Sequence, residues 1–248
     1  MVRSDTSNRI VGVHAVYEAL ASRRIPIERI HIAREAHSGK LKEILELARE
    51  RDIPVRKEDR VVLDRLAEGA IHQGIVGISA ALSYTDFEVL FQTQNPLIIV
   101  LDGVEDPHNL GAVMRTAEAC GASGLVVPDR HSAPLSVTVV KASAGASAYV
   151  PISRVKNLVN ALDEMKERGL WIVGVDPAGT QDWTGFDYKG PVALVLGGEH
   201  RGLRRLVREH CDVLIRLPMV GKIASLNISV AAAVVLYEAL RQRTVGSK

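Results

Sequence analysis

The chain has 248 residues, 47% of them hydrophobic and 24% charged, with a formal net charge of +2, which is ordinary for a soluble globular protein holding one large domain or two modest ones. Its two cysteines, Cys120 and Cys211, lie far apart without paired spacing, so neither a disulfide framework nor a zinc site is expected. No apolar run reaches the ~20 residues of a membrane span, and the opening MVRSDTSNRI lacks an apolar signal core, which predicts a cytoplasmic protein without a membrane partner.

In chain order, the first third reads as a compact alternation of helices and strands: an amphipathic VHAVYEALAS, a β-rich IERIHIA, a helical SGKLKEILELARERD, a short PVRK, a helical RVVLDRLAEGA and a closing IVGISAAL. Residues 1–82 hold 14 Lys or Arg against 12 Asp or Glu, while the remainder holds 17 of each, so the positive excess sits in this segment. A pI of 8.6 permits nucleic-acid binding without demanding it. Residues 83–96, SYTDFEVLFQTQNP, show no sustained period and end in Asn-Pro, the mark of a linker. The expected division is therefore a small α/β domain over 1–82, a linker over 83–96 and a second domain over 97–248.

In that second domain five short apolar runs, PLIIVLDGV, GLVVPD, LWIVGVD, VALVLGG and VLIRLPM, are separated mostly by helical segments, the pattern of a buried parallel sheet. Ligands of such sheets sit beyond the carboxyl ends of the strands, which directs attention to the turns. After the first run, DGVEDPHNLGAVMRTAEACGA carries a helix start at Asp106, Pro107 and Asn109 and a stop at Gly121. Leu110, Val113, Met114, Ala117 and Cys120 form its apolar stripe, placing Arg115 opposite. After the fourth run comes the glycine-rich LGGEHRGL with Glu199. After the fifth, LPMVGKIASLNISVAAAVVLYEAL breaks at Gly221 and becomes a helix without a polar residue from Val230 to Leu236, expected to be buried all round. Ser225, Asn227 and Ser229 at its start either cap orphan backbone N–H groups or face a ligand.

Neither G-x-G-x-x-G nor G-x-x-x-x-G-K-[ST] occurs, and the eight histidines show no metal-ligand spacing, so dinucleotide, P-loop and metal-hydrolase readings fall away. Taken together, DPHNLGAVMRTAEACGA, LVLGGEHRGL and LPMVGKIASLNISVAAAVVLYEAL resemble, in order and spacing, the three signature motifs of the SpoU (TrmH) branch of the SPOUT RNA methyltransferases, over about residues 97–243. IVGVHAVYEAL followed by HQGIVG is similar to the L30e-like RNA-binding domain preceding the catalytic domain in the subgroup that methylates a guanosine 2′-hydroxyl of bacterial 23S rRNA, and RRLVREHCDVLIRLPM is likewise similar to that subgroup.

The resemblance implies a parallel-sheet domain with a C-terminal trefoil knot, a homodimer formed through that domain, S-adenosylmethionine as cofactor without a metal, and methyl transfer to a ribose 2′-hydroxyl of RNA. It carries catalytic roles onto Asn109, Arg115, Glu199, Ser225 and Asn227, and cofactor binding onto the backbone around Leu196, Gly197, Gly198, Leu217, Met219 and Leu226, with Gly221 letting the chain turn closely. Arg115, always charged, would grip a substrate phosphate, with a phosphate oxygen, Glu199 or water taking the proton and His108 an alternative base. His200 and Arg201 depart from the small or acidic residues that relatives often carry in that turn. Arg201, Arg204, Arg205 and Arg208 form either a phosphate-binding strip or a solvated helix face. With Tyr17 its one aromatic, the first segment should read RNA shape and backbone instead of stacking on bases. A tRNA guanosine or an rRNA adenosine as substrate, or a non-catalytic RNA-binding protein, are the alternatives.

Overall fold

The computed structural model describes residues 9–22, 27–36, 39–79, 83–199, 201–222 and 225–245. They divide into two compact units, one of residues 1–83 with 135–141 and one of 84–134 with 142–248.

In the first unit β1 (Arg9–Val11), α1 (Val13–Ser22), β2 (Ile27–Ala33), α2 (Leu41–Glu50), β3 (Val55–Glu58), α3 (Arg60–Ala67) and β4 (Ile75–Ser79) follow one another. The sheet order is β1-β4-β2-β3, with β2 and β3 parallel and the other pairs antiparallel. The helical spacing read in LKEILELARE is realised as burial of Ile44 and Ala48, one turn apart, in a core with Val16, Leu20 and Ile30. Strand β1 had no separate signal in the sequence; three residues suffice because β4 supplies its register.

The second unit is built on β5 (Leu97–Asp102), α4 (Pro107–Ala119), β6 (Gly124–Pro128), β7 (Ile152–Val155), α6 (Leu158–Glu167), β8 (Trp171–Val175), β9 (Gln181–Asp182), β10 (Val192–Gly197), α7 (Arg205–Glu209), β11 (Val213–Arg216) and α8 (Ile228–Val245). Helix α5 (Val137–Ala142), between β6 and β7, falls mostly within 135–141 and so groups with the first unit, where Val140 joins the core. The sheet is parallel with order β7-β6-β5-β10-β8-β11-β9, and all five apolar runs became strands in it. Every residue of β5 is buried, as a central strand covered on both faces requires.

Residues 83–96 are not a free tether. Phe87–Phe91 form a 3-10 turn, and Leu90 is wholly buried beside Ile98, Val100 and Val126, so the segment belongs to the second unit's core. Burying a leucine of this size contributes about 1.5–3 kcal/mol, enough to hold an aperiodic segment in place.

From β5 the chain runs to β6 and β7 on one side, then crosses to β8 beyond β10. The direction of winding thus reverses beside β5, and the crevice at the carboxyl ends of β5 and β10 is the topological switch point. Helix α8 packs against α4, and its C-terminal turn is fastened: Arg243 donates to the carbonyls of Tyr188, Asn95 and Gly190 at 2.8, 2.9 and 2.7 Å, and Gln242 to that of Phe186 at 3.0 Å.

Candidate active site

Helix α4 begins as its sequence demands. Asp106 is the N-cap, its carboxylate accepting from the His108 N–H at 2.8 Å, and Pro107 occupies the first turn, where a missing N–H costs nothing. The helix ends in a Schellman turn: Gly121 has φ +66°, and the Ala122 N–H reaches the Ala117 carbonyl at 2.9 Å. Leu110, Val113, Met114, Ala117 and Cys120 are all buried, so the predicted stripe is real and fixes the rotation of the helix.

That rotation puts Asn109 inward, where it is 9% exposed. Its amide nitrogen donates to Asp106 Oδ2 at 3.3 Å and to Glu199 Oε1, while its oxygen accepts from Asn227 Nδ2 at 3.1 Å. Asn227 in turn caps α8: its Oδ1 accepts from the Ser229 N–H at 2.9 Å and the Ser229 hydroxyl at 2.6 Å. One amide therefore ties together the turns following β5, β10 and β11, and Asn227 caps α8 as one of its two readings expected.

Glycine is required in the turn after β10. A Cβ on Gly197 would strike the Gly202 carbonyl carbon and the Leu203 nitrogen, and one on Gly198 would strike the Gly103 carbonyl oxygen. The turn is closed by Asp102, whose side chain is wholly inaccessible at the end of β5. It accepts from the Arg204 N–H at 2.8 Å and from Arg204 Nε at 2.5 Å. Sequence reasoning missed this carboxylate; the signal was an acid closing an otherwise unbroken apolar strand, PLIIVLD.

Other expected residues lie outside this network. Arg115 is exposed on the outer face of α4, and no hydrogen bond or ion pair joins it to another described residue. Ser225 is exposed and stands outside the Asn109 network. Leu196 is buried in β10, Leu217 is half-buried, and Met219 and Leu226 present 39% and 41% of their surface. A Cβ added to Gly221 would meet no described atom within 4 Å, and its φ is not positive, so no contact among the described residues requires glycine there. His200 lies outside the described residues.

Helix α8 is also not buried all round. Ile228, Ala232, Val235, Leu236 and Ala239 face inward, whereas Val230 and Tyr237, two turns apart, are 48% and 55% exposed. Three arginines of the cluster have partners, Arg204 in Asp102, Arg205 in Glu209 at 2.8 Å and Arg208 in Asp176 at 3.8 Å, while Arg201 is exposed.

A profile of the SpoU rRNA methylase family matches residues 96–237, and one described as RNA 2′-O ribose methyltransferase substrate binding matches residues 9–85. The TrmH family tRNA/rRNA methyltransferase YacO of Bacillus subtilis is similar, at 42% identity over 97% of this chain and 98% of its own length. So is the 23S rRNA (guanosine-2′-O-)-methyltransferase RlmB of Pseudomonas aeruginosa, at 44% identity over 95% and 97%. Among solved structures, the SpoU methyltransferase AviRb of Streptomyces viridochromogenes in complex with AdoMet superposes with a TM-score of 0.71 and 28% identity, covering 96% of this chain and 91% of that one.

Proposed function

Because the chain belongs to the SpoU rRNA methylase family, we propose that it transfers a methyl group from S-adenosylmethionine to the 2′-hydroxyl of a guanosine ribose in 23S rRNA. The observation that carries this reading is the Asn109 amide joining Glu199 and Asn227, which draws three motifs 90 and 118 residues apart to one point at the switch of the sheet. The residues present fit the cofactor. Gly197 and Gly198 let the turn after β10 pack directly on the main chain of Gly202, Leu203 and Gly103, and the loop after β11 offers the apolar surface of Met219 and Leu226 to an adenine or a methionyl chain. Leu196, Gly197, Gly198, Leu217, Met219 and Leu226 would hold it. When bound, S-adenosylmethionine supplies an electrophilic methyl on a sulfonium centre.

The protein's part is alignment and charge. Arg115, with a guanidinium that stays charged, grips a phosphate of the substrate and stabilises the alkoxide developing on the 2′-oxygen. Asn109 holds Glu199 in place, and Glu199, a phosphate oxygen or water receives the proton, His108 being the alternative. Ser225 and Asn227 form the wall at the start of α8. Residues 1–82 bind RNA by shape and backbone, and the second unit carries the chemistry. A homodimer through the second unit would cover Val230 and Tyr237, both half exposed on α8. The family's trefoil knot is assigned to the C-terminal part of the second unit. No helix among the described residues is long and apolar enough to cross a membrane, and we assign the protein to the cytoplasm, where its RNA is made.

Labelled S-adenosylmethionine incubated with transcribed 23S rRNA tests the reading. Label is expected on ribose, and its retention by an Asn109→Ala, Glu199→Ala double variant at the wild-type rate would overturn the assignment of this site.

A further inference from the structure

At the carboxyl edge of the same sheet, between the ends of β6 and β7 and the start of α7, lies a cleft of about 820 Å³. That is on the order of 25 water volumes, room for a length of polymer backbone and not merely an ion. One wall comes from the ends of β6 and β7, where Pro128 and Val155 are register partners and the chain continues into Arg130 and Lys156. The other comes from Arg204 and Arg205 after the glycine-rich turn.

The charge in this cleft is unevenly compensated. Its one carboxylate, Asp129, is taken by Arg154 at 3.0 Å, while Arg204 and Arg205 are occupied by Asp102 and Glu209. Arg130 and Lys156 are exposed, and no hydrogen bond or ion pair joins either to another described residue. Two unneutralised cations leaving adjacent strands, about 4.8 Å apart at the backbone, face a polyanion-sized opening.

We propose that this cleft binds the phosphate backbone of the substrate RNA, with Arg130 and Lys156 as its phosphate contacts, so that the strand approaches the Asn109–Glu199 site from the β6–β7 side. The proposal rests on the RNA methyltransferase reading. The cleft's lining holds no Phe, Tyr or Trp, and its one imidazole, His131, is engaged by Glu105 at 3.2 Å, so the cleft holds backbone and sets register and affinity without selecting sequence.

The test uses the full-length protein, transcribed 23S rRNA and the double variant Arg130→Ala, Lys156→Ala, with Lys189→Ala as a control exposed near the opposite edge of the sheet, just before β10. Filter binding is expected to show affinity for the transcript falling roughly tenfold in the double variant, and the slope of log K against log salt shrinking by about 1.4, two phosphates at ~0.7 each. KM for RNA rises with it, while kcat at saturating RNA, S-adenosylmethionine affinity and the control stay at wild-type values. Wild-type affinity and slope in the double variant would overturn the proposal, as would a fall in kcat with RNA affinity intact. A wild-type protein that neither binds nor methylates the transcript would remove the functional reading itself, and the cleft proposal with it.

Discussion

Asp102 and Arg204, 102 residues apart in the chain, meet twice: the buried carboxylate takes both the backbone N–H and the Nε of the arginine. The two bonds differ in what can remove them. Asp102→Ala abolishes both and orphans a backbone donor, costing about 2–3 kcal/mol, whereas Arg204→Ala leaves the backbone bond and costs about 1 kcal/mol, its guanidinium being half exposed. Urea unfolding followed by the fluorescence of Trp171 and Trp183, both in the second unit, should rank the variants in that order. Equal losses would show that the side-chain ion pair, and not the closure of the turn, matters.

Two glycines in the cofactor loops should respond oppositely. Gly197→Ala drives a methyl group into backbone that cannot yield, so S-adenosylmethionine affinity measured by calorimetry should fall by at least roughly tenfold, about 1.4 kcal/mol. Gly221→Ala meets no described atom and should leave affinity within twofold or so of wild type, a few tenths of a kcal/mol. A severe Gly221→Ala defect would mean that a bound cofactor or a second subunit crowds that position.

Asn109 is the neutral member of a group with two carboxylates, Asp106 and Glu199. Asn109→Asp replaces its donating amide with a third negative charge, so at pH 8 it should destabilise the second unit more than Asn109→Ala does. The gap should narrow toward pH 5 as the introduced aspartate, crowded by like charge, takes up a proton. Thermal unfolding of both variants across this range reads the effect, and a gap independent of pH would point to steric loss alone.

Much of this site was legible because its residues also obey local rules. The α4 stripe, the Asp106 cap and the Gly121 stop follow from spacing and backbone chemistry, and β5, β8 and β10 follow from apolar runs long enough to be central strands. Other features were hidden because their cause is tertiary. β7 is the four-residue ISRV and β9 two residues, strands only because a neighbour pairs with them. Asp102 gives no sign in sequence of the arginine that neutralises it. The exposure of Val230 and Tyr237 could not be read from a helix apolar on every side, since composition states that a face is apolar and not what covers it.

Glu238 of α8 is nearly inaccessible and gripped by Arg241, through two bonds of 2.7 Å, and by Gln242 at 2.8 Å. Their hydrogen bonds, Arg241 first, hold its carboxyl down at about 2, below the usual carboxylate range. A depressed folded-state value stabilises the protein above the unfolded carboxyl's pKa, and that contribution is lost as pH falls toward 2. The stability advantage of wild type over Glu238→Gln should therefore be constant from pH 8 to about 5 and shrink below it. An advantage unchanged at pH 3 would show that the arginine does not set the carboxyl's affinity for protons.

Methyl transfer to a guanosine ribose of 23S rRNA stands or falls on one experiment: 23S rRNA and tRNA are incubated separately with the purified protein and labelled S-adenosylmethionine, then digested to nucleosides. The predicted result is label recovered as 2′-O-methylguanosine from 23S rRNA. Label confined to tRNA, to adenosine or to a base, or none in either RNA by a protein that binds the cofactor, would contradict it.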